Sequence, residues 1–365
     1  MRNRYCKYIL GGLLMLLTGC FNAEQLSIDY MLPAEISFPS ALRRVAIVNN
    51  MPFVNADSAL ISERHERFKG GGERTVKFHH GYAIYAAEAL AETIADENFF
   101  DEVVICDSAL RYQDTILRES ALTQAEVEEL TEALDVDFLI SIENVLVKST
   151  RQVIYYWRAG FQGLVTASVY PTIKVYLPGR RTAMTTLTCN DSIDWDQMTY
   201  DDSRALEGLI NDADMVKEAS DFAGTLPVKQ LLPTWRKSNR VIFTNGSTTM
   251  RDAYHYVREE EWEKAITLWE QLYNSEKKPK KRLWAAYNLA LGHEMLDNIE
   301  ASLEWVIRAE QLAKEVDKRT AEQDVRLGNT LSYSLLTHRY KAELEQRKTQ
   351  LPRLKAQMSR FTEGN

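Results

Sequence analysis

The last third of the chain carries one repeating pattern, and that pattern restricts the fold more than any other feature of the sequence. From Thr248 onward, apolar residues recur at the three- and four-residue intervals of an α-helix. Two antiparallel helices would bury Ala253, Tyr256, Trp262, Ala265, Ile266 and Trp269. A second set repeats this layout: Ala286, Leu289, Ala290, His293, Ile299, Ser302, Val306 and Ala309. The sequence therefore predicts an all-α domain over residues 248–345, followed by a basic tail over residues 346–365.

The spacing between the two sets connects this domain to a known repeat. Ala265 and Ser302 occupy the same place in successive sets and lie 37 residues apart. Residues 248–313 resemble the tetratricopeptide family, whose units have about 34 residues, and the basic turn at residues 277–281 can absorb the excess. Asp297 and Ser302 depart from the pattern, since the family prefers glycine and alanine there. A generic pair of helical hairpins is the alternative.

A tetratricopeptide-like domain implies a groove that binds a protein partner. The candidate contact residues are Tyr256, Trp262, Trp269, Tyr287 and His293. The same helical spacing would also place such side chains in the core between helices. His293 takes a position that the repeat family fills with a core aromatic residue, so packing is the alternative role for it.

The first residues have the composition of an export signal. Basic residues at positions 2, 4 and 7 precede an apolar run over residues 8–17. This run is shorter than the ~20 apolar residues that a membrane-spanning helix needs. We therefore predict that residues 1–19 are a signal peptide, which is removed.

The sequence Leu17-Thr18-Gly19-Cys20 resembles the lipobox of bacterial lipoproteins. The resemblance implies that Cys20 becomes the acylated first residue and that residues 20–42 are a lipid-anchored tether. Acyl chains would then make the contact with the membrane. Phe21 follows in place of an aspartate that would suggest retention at the inner membrane, so we expect an outer-membrane lipoprotein that faces the periplasm. An ordinary signal peptide with an incidental cysteine is the alternative.

Strand and helix patterns alternate in residues 43–247. In chain order, the predicted elements are a strand (43–48), a helix (76–97), a strand (101–106), a helix that opens at the capping box Thr123/Glu126, and a strand (138–147). β-rich stretches with short connections follow, which indicates antiparallel pairing. The polar stretches 54–75 and 190–202 are interpreted as loops. The predicted fold class is α+β: a small α/β sheet domain with an antiparallel strand extension, followed by the all-α domain.

A second resemblance concerns the α/β part. The third predicted strand is entered through Asp137-Phe138-Leu139-Ile140. With this entry and the strand–helix–strand–helix–strand order, residues 43–147 resemble the N-terminal part of curli-secretion-channel and Tol-type envelope proteins. The whole arrangement of lipobox, α/β part and helical repeats resembles lipoprotein families of the Bacteroidota. Neither resemblance brings a catalytic residue with it.

Charge and motifs argue against several functions. The net charge of −8 disfavours nucleic acid as a partner, because an acidic body gains nothing from counterion release. The six histidines are scattered, and the sequence contains no paired metal-binding motif and no hydrolase elbow. The acidic pair Asp135/Asp137 fits a turn. We therefore expect no metal, no cofactor and no enzymatic activity. Cys106 and Cys189 either form a disulfide or serve as two small apolar residues in strands.

These observations favour a non-enzymatic, lipid-anchored protein of the cell envelope that acts as a scaffold or assembly factor through protein–protein contacts. The alternative is a glycan- or ligand-binding surface lipoprotein, for which Trp157 and Trp195 are the candidate ligand aromatics. Exposed aromatic rings can stack on sugars or contact a partner, whereas in strands they more often fill the core.

Overall fold

The computed structural model describes residues 23–53, 59–67, 73–106, 109–113, 121–323 and 332–361. The predicted signal peptide and Cys20 lie outside these residues. The chain forms two compact units. The α/β unit contains the described residues of 34–234 and 357–361, and the helical unit contains those of 23–33 and 235–356. The predicted fold class is confirmed, because an α+β region precedes an all-helical one.

The bounds of the described elements are as follows. The strands are β1 (Ala23–Leu32), β2 (Arg44–Asn49), β3 (Leu60–Arg67), β4 (Glu73–His80), β5 (Glu102–Ile105), β6 (Phe138–Tyr156), β7 (Gly160–Tyr176), β8 (Thr185–Thr188), β9 (Asp191–Thr199) and β10 (Thr234–Phe243). The helices are α1 (Ala83–Asp96), α2 (Gln124–Ala133), α3 (Asp212–Thr225), α4 (Val228–Leu231), α5 (Thr248–Arg258), α6 (Trp262–Ser275), α7 (Pro279–Met295), α8 (Ile299–Gln323) and α9 (Tyr333–Met358). Among these helices, none has the length and apolar character that crossing a bilayer requires.

The β6–β7 hairpin runs through the middle of the sheet of the α/β unit. β2 and β4 pair with successive parts of β6, β2 in parallel and β4 antiparallel. β5 extends the sheet next to β2 in parallel, and β3 extends it next to β4. β8 and β9 pair with the other edge of β7. The sheet therefore contains the predicted strands together with their antiparallel extension.

Helices cover both faces of this sheet at β2. Alternate residues of a strand point to opposite faces, so Val45 and Ile47 lie in the core with α1 and α3, whereas Ala46 and Val48 lie in the core with α2. The predicted capping box at the start of α2 is confirmed. The N–H of Glu126 donates to Oγ1 of Thr123 at 3.3 Å, and the N–H of Thr123 donates to Oε2 of Glu126 at 2.7 Å.

The two stretches that were expected to be polar loops contain strands instead. β3 and the start of β4 lie within residues 54–75, and β9 lies within residues 190–202. Ion pairs hold the β3–β4 hairpin, among them Arg67–Glu73 at 2.8 Å and Arg74–Glu66 at 2.6 Å. Because charged residues make these cross-strand contacts, the hairpin lacks the apolar alternation that identifies a strand. The helix that was predicted from Val76 accordingly begins later, at Ala83.

The predicted tether and basic tail are also partly wrong. Residues 23–32 form β1, which pairs with β10, and residues 346–358 continue α9. Just before α9 ends, the side-chain amide of Gln357 accepts from the N–H of Ala34 at 2.9 Å and donates to its carbonyl at 3.1 Å. β1 and the end of α9 are thus fixed by residues more than 200 positions away, which no local sequence pattern can indicate.

Helices α5 to α8 pack consecutively in the helical unit. Their shared core contains Ala265, Trp269 and Tyr287, in agreement with the helical spacing of the sequence. Asn288 ties β10 to α7, because its side chain accepts from the N–H of Phe243 at 2.9 Å and donates to the carbonyl of the same residue at 2.7 Å.

The two departures from the tetratricopeptide pattern have local explanations. Asp297 has φ 55°, and Glu260, which lies 37 residues earlier, has φ 60°. Both residues occupy the left-handed region that favours glycine, which explains the family's preference at this turn. Ser302 is fully buried, and its hydroxyl donates to the carbonyl of Ala290 at 2.7 Å. This hydrogen bond allows serine at a helix contact where the family prefers alanine, which is smaller and apolar.

Candidate functional site

The five candidate contact residues of the helical unit do not form one exposed surface. Trp269 and Tyr287 are 0% and 2% exposed, and Trp262 is also buried. The prediction that these three contact a partner is wrong, because their rings fill the core between helices. Tyr256 is half-buried, and Nζ of Lys264 lies 5.3 Å from the centre of its ring. His293 is half-buried as well, and burial lowers its pKa.

Exposed aromatic residues gather instead at the end of the β6–β7 hairpin. We call this group the aromatic tip, and it consists of the exposed Tyr155, Tyr156, Trp157 and Tyr200 together with the half-buried Phe161. Trp157 is 74% exposed and Tyr200 is 87% exposed, while Tyr155 and Tyr156 are also exposed. Exposed apolar groups in such a cluster are typical of interaction sites rather than of ordinary surface.

The turn of the hairpin presents these rings. The N–H of Ala159 donates to the carbonyl of Tyr156 at 3.0 Å, and Arg158 has φ 70°. The guanidinium of Arg158 lies 4.2 Å from the centre of the Trp157 ring, a cation–π contact. Within the group, the rings of Tyr155 and Phe161 lie 5.2 Å apart.

Close approach of β9 adds Tyr200 to the aromatic tip. Thr199 pairs with Phe161, so the end of β9 lies beside the start of β7. A Cβ atom at Gly160 would lie 2.4 Å from the carbonyl oxygen of Thr199 and 3.3 Å from Cδ1 of Tyr200. Gly160 also has φ 93°. The left-handed backbone conformation and the close contact with Thr199 therefore both require glycine at this position.

Trp157 and Trp195 do not form a joint platform for a ligand. Trp195 is half-buried beside α3, and its Nε1 donates to Oε2 of Glu218 at 3.2 Å. It pairs with Val165, four residues along β9 from Thr199, which corresponds to about 13 Å of strand. The sequence singled out both tryptophans, but the structure places Trp157 at the exposed turn of the hairpin, in contact with Arg158, and assigns Trp195 to packing.

The other residues that sequence analysis considered for chemistry have structural roles. Asp137 accepts from the N–H groups of Arg43 and Arg44 at 2.7 and 2.8 Å, and Asp135 pairs with the guanidinium of Arg44. In the part of the chain that the structure describes, no three His, Cys, Asp or Glu side chains converge as metal ligands would. Cys106 and Cys189 are not joined in a disulfide, and burial raises the pKa of the Cys189 thiol to about 11.

His79 is expected to make the stability of the α/β unit depend on pH. Its ring is buried in β4, its Nε2 lies 3.3 Å from Oγ of Ser149, and burial lowers its pKa. In the unfolded chain the ring binds a proton near pH 6.5, whereas the folded chain delays protonation to lower pH. Stability should therefore fall as the pH drops below about 6.5, by at most about 1.4 kcal/mol per pH unit from this group.

We expect His79→Gln to flatten this dependence, since glutamine cannot take up the proton. The measurement is the free energy of unfolding in urea between about pH 7 and pH 5. His65→Gln is the matched control, because it makes the same change at an exposed histidine of the paired strand β3. An unaltered slope in His79→Gln would contradict the assignment.

Two family models match the chain. The model described as Domain of unknown function (DUF8603) matches residues 42–243, and the model described as Domain of unknown function (DUF6340) matches residues 251–346. The first match covers more than half of the 365 residues. No curated protein matches the chain.

Proposed function

The chain belongs to the family described as Domain of unknown function (DUF8603), and for this member we propose a role as a non-enzymatic, lipid-anchored scaffold or assembly factor of the cell envelope. The observation that carries the proposal is the aromatic tip. Four exposed rings and a stacked arginine stand at the end of one hairpin. Tyrosine, tryptophan and arginine are the residues that most often dominate the binding energy of protein interfaces.

A protein partner suits the aromatic tip better than a glycan does. Trp195, the second ring of the glycan alternative, is half-buried and donates to Glu218, so it does not present a free face for stacking on a sugar together with Trp157. The tip itself offers rings and the Arg158 guanidinium, a combination that fills pockets on protein surfaces. We therefore place the partner contact at the aromatic tip and not, as the sequence suggested, at the helical repeats.

The location in the envelope rests on the sequence at Cys20. A basic start, a short apolar run and the lipobox-like residues 17–20 support export and acylation. We propose that the protein is held at the outer membrane by these acyl chains and faces the periplasm.

Site-specific photocrosslinking in intact cells tests the partner contact. With a benzophenone amino acid in place of Tyr200, we expect a discrete protein adduct. Trp157→Ala in the same chain should reduce its yield about tenfold or more, because loss of an interface tryptophan commonly costs that much affinity. Both side chains are exposed, so the melting temperature should not change.

The matched control places the benzophenone at Trp235, an exposed aromatic residue of the helical unit. Adducts from position 235 with none from position 200 would contradict the proposed contact at the aromatic tip. They would indicate that the partner binds the helical unit. Adducts that contain lipid but no protein would contradict a protein partner.

A further inference from the structure

A cleft in the α/β unit lies apart from the aromatic tip. It has a volume of about 850 Å³ and opens at the carboxyl ends of the parallel strands β2 and β5, beside the first turn of α1. Ligands of open α/β sheets bind outside the carboxyl ends of parallel strands, where the connections diverge. The volume falls within the range of about 300–1,000 Å³ that small-molecule sites occupy.

The two walls of the cleft are formed by the segments that follow β2 and β5. Phe53 stands on the first wall and Tyr112 on the second, and their ring centres lie 5.2 Å apart. Both rings are exposed, Phe53 at 56% and Tyr112 at 63%. Pairs of rings at this distance are ordinary in a core, but two exposed rings need support to stay in place.

A buried polar cluster supplies that support. Nε of Arg111 donates to Oδ1 of Asn50 at 2.9 Å, and its Nη1 pairs with Glu126 at 2.9 Å. Nδ2 of Asn50 in turn donates to Oε2 of Glu143 at 2.9 Å, and the hydroxyl of Tyr176 donates to the other carboxylate oxygen at 3.0 Å. Pro52 and Arg111 also form a β-bridge. The cluster therefore fixes the two walls to the sheet and to each other.

Glu143 shows how firmly this cluster is built into the sheet. It occupies the bulge in β6 between Ile142 and Asn144, and its side chain is fully buried. Burying a carboxylate is costly unless hydrogen bonds and a counter-charge satisfy it, and here Nζ of Lys174 lies 3.5 Å away. Such a cluster is a preorganised support, which keeps the walls of a site in position before a ligand arrives.

The lining of the cleft carries little charge. Among the described residues that line it, Glu88 alone carries a formal charge. Ile84, Tyr85 and Ile105 contribute apolar surface between the two walls. The charged groups of Arg111 and Glu143 take part in the hydrogen bonds and ion pairs of the cluster described above.

We infer that this cleft binds a small, uncharged molecule that carries a ring system. The ring would lie against Phe53, Tyr85 and Tyr112, and Ile84 and Ile105 would contact its edge. This site is independent of the partner contact proposed for the aromatic tip, so either can fail without the other.

Photolabelling of the purified full chain with 3-trifluoromethyl-3-phenyldiazirine, a neutral one-ring probe, tests the inference. We expect saturable labelling that mass spectrometry locates in residues 81–88, 105–106 and 109–112. Excess 1-naphthalenemethanol, which is neutral and has two rings, should displace the probe. Ile84→Lys should reduce the saturable labelling about tenfold, since it adds a charge at the edge of the cleft.

Ile84 is exposed, so the lysine should not impair folding, and an unchanged circular dichroism spectrum checks this. Tyr112→Ala should weaken labelling in the same direction, and Tyr170→Ala, at an exposed tyrosine outside the cleft and the aromatic tip, is the matched control and should leave the labelling unchanged. Labelling that follows the exposure of aromatic residues throughout the chain would overturn the inference. Displacement by 1-dodecanol but not by 1-naphthalenemethanol would indicate an acyl chain and would overturn the assignment of a ring-bearing ligand.

Discussion

Glu294→Leu is expected to lower the free energy of unfolding of the helical unit by about 3–5 kcal/mol. The buried carboxylate of Glu294 accepts from Nε and Nη2 of Arg240, each at 2.9 Å, and from the hydroxyl of Tyr340 at 2.6 Å. Arg347 donates to it as well. Leucine would leave the Arg240 guanidinium buried with its main counter-charge removed. Urea unfolding followed by tryptophan fluorescence measures the change.

Two further variants separate the charge effect from a packing effect. Arg240→Met combined with Glu294→Leu should recover more than half of the loss, because both buried charges are then absent. Glu343→Gln should cost no more than about 1 kcal/mol, since that carboxylate also pairs with Arg240 but is partly exposed. Equal losses in the single and the double variant would show that the pair is not the cause.

Cys20→Ala is expected to move the protein from the membrane fraction to the soluble fraction. The physical reason is that one acyl chain binds a bilayer marginally whereas two or more hold firmly, so removal of the acylated residue should abolish the attachment. Fractionation of cells followed by immunoblotting measures the distribution, and incorporation of labelled palmitate measures acylation directly.

The chain provides its own controls for this experiment. Cys106→Ala and Cys189→Ala change the two cysteines within the α/β unit and should leave the protein on the membrane. Retention of Cys20→Ala in the membrane fraction would contradict acylation at this position and would favour the incidental cysteine of an ordinary signal peptide.

Local sequence patterns predicted those elements whose stability depends on residues close together in the chain. The Thr123/Glu126 capping box and the helical spacing around Ala265 are present as expected, because each depends on residues within one or two turns. The β3–β4 hairpin was missed because Arg74 and Glu66 contact each other across strands, so its charged sequence resembles that of a loop.

The candidate site was less accessible to sequence analysis. Trp157 lies in the turn after β6 and is 74% exposed, whereas Trp269 lies in α6 and is fully buried, and the residue type alone does not distinguish the two environments. The cleft depends on Asn50, Arg111 and Glu143, which lie far apart in the chain. The bulge that places Glu143 has no signature in the sequence, although a lone glutamate in an apolar strand could have been noted.

If the proposed anchor at Cys20 is present, the pairing of β1 with β10 limits how far the start of the helical unit can be from the bilayer. The sequence suggested a connection of residues 20–42, but β1 already begins at Ala23. With acyl chains on Cys20, the covalent path from the lipid to the first paired strand is three residues, which span no more than about 10 Å. If Cys20 is acylated as proposed, the start of β1 would be held within about 10 Å of the bilayer surface, while the rest of the helical unit could turn about this anchor. A partner that contacts the helical unit near Ala23 would then meet it close to the membrane.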